Sequence, residues 1–113
     1  MKREFIILPE FEKCWHESGL SDEDLRSLEI YLCKNPETGD IIPETGGLRK
    51  LRWKLKDKGK RGGVRTLYVD FARYEKIYLI SAYTKNVKVD LTQDEKREIK
   101  KLIKLLELEL KRK

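Results

Sequence analysis

The chain is poor in the residues that most enzymes use for proton and metal chemistry. His16 is its only histidine, and Cys14 and Cys33 are its only cysteines. With one histidine, no convincing Ser-His-Asp set can be assembled. His16 reads as a helix or surface residue. The acids do not cluster at metal-ligand spacing, so neither a metal nor a cofactor is expected. Two isolated thiols without Cys-x-x-Cys spacing point to a reducing compartment, not to a disulfide framework or a zinc site. No apolar stretch approaches the roughly 20 residues of a membrane span. The first residues lack the apolar core of a signal peptide. A cytoplasmic chain with no membrane partner is therefore expected. Neither Gly-x-x-x-x-Gly-Lys-Ser/Thr nor Gly-x-Gly-x-x-Gly occurs, which disfavours a nucleotide pocket. Internal repeats and low-complexity segments are also missing.

Charge is abundant. Charged residues make up 41% of the 113, with a formal net charge of +6. Aliphatic and aromatic residues remain plentiful enough for a folded core, and the length suits a single domain over residues 1–113. The positive charge is concentrated. From Arg49 to Arg65 there are nine Lys/Arg and one acid, a net of +8, while residues 1–48 carry −6. Such a local excess suits a phosphate-binding surface.

Hydrophobic periodicity gives the element order strand, helix, helix, strand, strand, strand, helix. Glu4 to Leu8 reads as a strand ended by Pro9. Pro9 to Ser18 reads as a short helix closed by Gly19. Ser21-Asp22-Glu23-Asp24 starts a second helix, which ends near Asn35-Pro36. Residues 35–47 read as a loop. Leu48–Leu55, Val64–Phe71 and Lys76–Tyr83 form a meander. Thr92 and Glu95 make a capping box for the last helix, with Ile99, Leu102, Ile103, Leu106 and Leu110 on one face. Leu105 and Leu108 lie off that stripe. The pattern predicts an α+β fold, with a mainly antiparallel sheet, its helices on one face and the other face open.

Strand alternation divides the basic segment. Leu51, Trp53 and Leu55 point into the core, and Lys50, Arg52, Lys54 and Lys56 form a cationic row about 7 Å apart on the other face. Like charges in register repel and have no structural use, so the row reads as a polyanion site. Lys58, Lys60 and Arg61 add donors on a glycine-bearing loop. Arg65 and Lys85 converge on the row if their strands are neighbours. Tyr68 and Tyr83 are candidates for stacking on bases, whereas Trp53 reads as core. Without metal, RNA can be cut by attack of its own 2′-OH, provided the protein aligns the groups and neutralises charge.

Thr45-Gly46-Gly47-Leu48-Arg49-Lys50-Leu51-Arg52 and Lys58-Gly59-Lys60-Arg61-Gly62-Gly63-Val64-Arg65 together resemble the RelE/ParE superfamily of type II toxins. The HigB branch is the most similar. Asn35-Pro36-Glu37-Thr38-Gly39-Asp40, Tyr83-Thr84-Lys85-Asn86 and Asp90-Leu91 share the likeness, which covers nearly the whole chain. The resemblance implies a small RelE-like fold and a ribosome-dependent endoribonuclease that cleaves mRNA in the A site without metal. It implies a cognate antitoxin, a small helix-turn-helix protein of HigA type, and contact with ribosome and mRNA. It gives Arg65 the scissile phosphate and Lys85 the transition state, with Lys54 and Lys56 in catalytic or phosphate-binding places. Lys50, Arg52, Lys58, Lys60, Arg61 and Tyr83 would then hold RNA or ribosome. Two positions depart from the pattern. Leu91 stands where RelE carries a tyrosine that moves protons, and Val87 stands where some HigB-like chains have glutamate. Lys56, Lys54 and Tyr83, in that order, are the substitutes for proton transfer. A ParE-like gyrase inhibitor and a non-enzymatic RNA-binding module are the competing readings.

Overall fold

A computed structural model describes residues 2–54, 63–84 and 90–112. The elements run β1 (Glu4–Ile7), α1 (Pro9–Glu17), α2 (Asp22–Lys34), β2 (Asp40–Ile41), β3 (Arg49–Trp53) and β4 (Val64–Phe71). A 3-10 turn (Ala72–Tyr74), β5 (Lys76–Thr84) and α3 (Gln93–Lys111) complete the order. The five strands form one mixed sheet in the order β1-β5-β4-β3-β2. Only the β1–β5 pair is parallel. The fold is thus α+β, with a small RelE-like arrangement of sheet and helices.

The helix starts are set locally. Ser21 accepts from the Asp24 amide while the Asp24 carboxylate accepts from Ser21 N–H, and Thr92 and Glu95 repeat the exchange at α3. Each box satisfies two amides that a helix start otherwise leaves unpaired. α1 begins with Pro9, whose missing N–H costs nothing there.

The helices do not share a face, contrary to the sequence expectation. α1 and α2 pack on one side, where Phe11, Trp15, Leu28 and Leu32 meet Val64, Tyr68, Ile77 and Leu79. α3 packs on the other, where Ile103 and Leu110 meet Leu48, Leu67, Val69 and Ile80. The expected open face is therefore largely covered. The apolar stripe of α3 shows that the helix packs on something, but both faces of a central sheet are apolar.

A second difference is β2. It lies inside the segment read as loop and pairs with β3 through Asp40↔Lys50 and Ile41↔Arg49. The turn joining them is held by Thr45, fully buried, whose hydroxyl donates to the Ile42 carbonyl at 2.6 Å and accepts from Leu48 N–H at 3.1 Å. Arg49 braces the preceding loop by donating to the carbonyls of Glu37 and Gly39. Tyr68 does the same from below: it accepts from Gly39 N–H and donates to the Pro36 carbonyl, both at 2.9 Å. Tyr68 is thus a core residue, not an open stacking platform.

Candidate functional site

Pairing places the basic residues. Arg52 lies opposite Arg65 on β4, and Arg65 lies opposite Tyr83 on β5. Lys50 lies one pair further along its face, opposite Leu67. Directly paired residues share a face, so Lys50, Arg52, Arg65 and Tyr83 form one group on the α3 side. With strands ~4.8 Å apart, the row from Arg52 to Tyr83 spans about 10 Å. Leu51 and Trp53 turn to the α1/α2 side, as alternation demands, and Trp53 meets the Tyr31 ring at 5.4 Å.

Tyr83 reaches this row because of an irregularity. The ladder steps from Leu67↔Ser81 to Tyr68↔Leu79, leaving Ile80 as an extra residue on β5. Such a bulge reverses which face each later residue takes. Ile80 and Tyr83, three apart, both lie on the α3 side, while Leu79 and Ala82 both lie on the other. An unbroken alternation from Ile80 would have turned Tyr83 toward α1.

The start of β4 is also constrained. Gly63 has φ +74°, and a Cβ there would sit 1.9 Å from the Trp53 carbonyl oxygen. Only glycine fits where the chain returns from β3 to β4, two residues before Arg65. The glycine serves the backbone geometry of the hairpin.

The group is electrostatically unbalanced. Two arginines face each other across β3 and β4, an arrangement that destabilises a sheet pair. Among the described residues, neither forms an ion pair with a carboxylate. Arg65 Nη1 is buried and has no acceptor within hydrogen-bond distance among those residues. A buried guanidinium N–H without a partner costs free energy that an incoming anion offsets. Lys50 is the exception, since its ammonium lies 3.4 Å from the Asp90 carboxylate just before α3.

Tyr83 is only 5% exposed, its ring within the α3-side core. Burial pushes its hydroxyl above the usual 10.0, and Asp90 and Glu95 add to this while Arg65 opposes it. At neutral pH it holds its proton and acts as a donor, not as a base. Lys54 follows the end of β3 and is exposed. Lys56, Lys58, Lys60, Arg61 and Lys85, with Leu55 and Val87, lie outside the described residues. The structure therefore brings together Arg65, Arg52, Lys50 and Tyr83 of the sequence-derived set. Sequence reading missed Asp90 as part of this corner. Its signal is an acid placed two residues before the Thr92 cap, next to a basic segment. Glu95 was read only as a cap, yet its charge also reaches Tyr83.

No helix among the described residues is long and apolar enough to cross a membrane. Residues 8–112 match the family model described as the RelE toxin of the RelE/RelB toxin–antitoxin system. The chain belongs to that toxin family.

Proposed function

We propose that this RelE-family toxin cuts messenger RNA on the ribosome by metal-independent attack of a 2′-OH on the adjacent phosphate. The observation that supports this reading most directly is the buried, unpartnered Nη1 of Arg65 beside Arg52 and the protonated hydroxyl of Tyr83. In such a cut, the 2′-oxygen bonds to phosphorus and the bond to the 5′-oxygen breaks. The products are a 2′,3′-cyclic phosphate and a 5′-OH. Charge builds on the non-bridging oxygens, where planar guanidinium groups bind bidentately. Arg65 holds the scissile phosphate and Arg52 shares its charge. The leaving 5′-oxygen needs a proton, and Tyr83 is a protonated hydroxyl in the same row. Lys56 and Lys54, crowded by cations, are the candidates to accept the 2′-OH proton, and Lys85 the candidate to steady the transition state. Lys50, Lys58, Lys60 and Arg61 extend the cationic surface for RNA or ribosome. We assign the chain to the HigB-like branch, with a small helix-turn-helix antitoxin of HigA type and action in the cytoplasm.

Primer extension on a reporter mRNA in a reconstituted translation system tests this. Cuts in phase with codons are expected from the wild-type chain on translated message only. Arg65→Ala should lower the cleavage rate by about 10²–10³-fold, the range for removing one preorganised donor to a developing oxyanion. Equal cutting of untranslated RNA would remove the ribosome from the proposal. Full activity of Arg65→Ala would remove the site. Intact mRNA with broken DNA would favour a gyrase inhibitor instead.

A further inference from the structure

β1 covers only the first part of β5. Their ladder runs from Glu4↔Lys76 to Ile7↔Leu79, and the last bond is Leu8 N–H to the Leu79 carbonyl at 3.0 Å. β5 continues to Thr84. Among the described residues, no strand pairs with Ile80–Thr84 on that side. Exposed strand edges are pairing templates, and proteins that leave them bare commonly use them.

This edge forms the floor of a cleft of about 640 Å³ between α1 and α3, with Ser81, Ala82 and Tyr83 at its base. Leu91, Ile99 and Leu102 supply an apolar wall from the α3 side. The rim carries Glu10, Asp94, Glu95 and Glu98, and no lysine or arginine lines the cleft. That is selective in a chain with 26 Lys/Arg and a net charge of +6. The pairs Asp94–Arg97 and Glu98–Lys101 run along the outside of α3 and are well exposed, so they leave the acids available. On the other wall, Glu10 accepts from the Cys14 thiol at 3.3 Å.

We propose that this cleft docks an extended, basic segment of a protein partner as an added strand along Ile80–Thr84. Alternate side chains of such a segment face opposite ways. Its apolar residues fill the cleft against Leu91, Ile99 and Leu102, and its Lys/Arg residues meet the acidic rim. The surface is acidic where the Arg52–Arg65 row is basic, so it selects a ligand of opposite chemistry. The proposal does not rest on RNA cleavage.

A fluorescein-labelled peptide, Lys-Val-Lys-Val-Thr-Val-Lys-Val, tests this by anisotropy, with its Glu-for-Lys counterpart as control. The basic peptide should bind and the acidic one should not. Amide resonances of Ile80–Thr84 should shift on binding. The double substitution Asp94→Lys, Glu98→Lys should weaken binding by about tenfold or more, since it reverses two rim charges. Both side chains are mostly exposed, so the variant should keep the wild-type circular dichroism. Binding that spares the β5 amides, or that is equal for the acidic peptide or the variant, would overturn the proposal. So would concentration-dependent self-association through the same amides, which would make a second copy the occupant.

Discussion

On the α1/α2 side, apolar residues follow the sheet from end to end. Val64, Tyr68, Ile77, Leu79 and Ala82 are covered by Phe11, Trp15, Leu28 and Leu32, each at most 2% exposed. On the α3 side the covered core stops at Leu67 and Tyr83, and the next positions on that face are Arg65 and Arg52. The same strands therefore present one sealed surface and one that ends in paired cations. Alternation makes this possible, because successive residues of β3 answer to different faces. Leu51 and Trp53 serve packing while Lys50 and Arg52, between and beside them, do not. Stability and chemistry can be separated residue by residue on one strand.

Substitutions should expose that division. Phe11→Ala on the sealed side should cost about 3–5 kcal/mol in urea unfolding, as for a large buried aromatic truncated to alanine. The cleavage rate of the molecules that remain folded should hardly change. A large fall in that rate would mean that the two faces are coupled. Tyr68→Phe, also on the sealed side, leaves Gly39 N–H and the Pro36 carbonyl without their partner. A loss of about 1–3 kcal/mol is expected, and the same unfolding experiment checks it.

One measurement compares the faces directly. Burial raises the hydroxyl pKa of Tyr68 on one side and of Tyr83 on the other above 10.0. The folded state thus holds these protons more tightly than the unfolded chain does. The resulting stabilisation is present below about pH 10 and is lost as pH rises through the folded-state values. Unfolding midpoints from pH 8 to 11.5 should fall steeply above pH 10, and Tyr68→Phe and Tyr83→Phe should each flatten part of that slope. An unchanged slope in Tyr83→Phe would show that its hydroxyl is not sealed.

The smallest effect concerns the open side. Arg65→Ala removes one of two facing cations, so the folded protein should be unchanged or more stable by up to about 1 kcal/mol. Thermal unfolding of the purified variant tests this, and a loss of several kcal/mol would make Arg65 a structural residue.

Much of this was legible in the sequence, for particular reasons. The alternation of Leu48–Leu55 separated Leu51 and Trp53 from Lys50 and Arg52, and both capping boxes marked helix starts. Three features were not legible. The stripe on α3 does not say which sheet face it covers. β2 is two residues long and depends on the Thr45 turn, so it has no periodicity of its own. Lys76–Tyr83 is almost continuously apolar, and such a run has no visible phase in which a bulge at Ile80 would register. That bulge decides where Tyr83 points. Asp90 escaped for a related reason, since its pairing with Lys50 spans 40 positions along the chain.

Gly63 carries a consequence for genetics. A library randomised at this codon would lose function at almost every replacement, because any side chain meets the Trp53 carbonyl. A library at codon 65 would lose function too, through the missing guanidinium. A screen for surviving cells would score the two codons alike. They separate only when the losers are purified: those changed at position 65 should be soluble and folded, and those changed at position 63 should be scarce or misfolded.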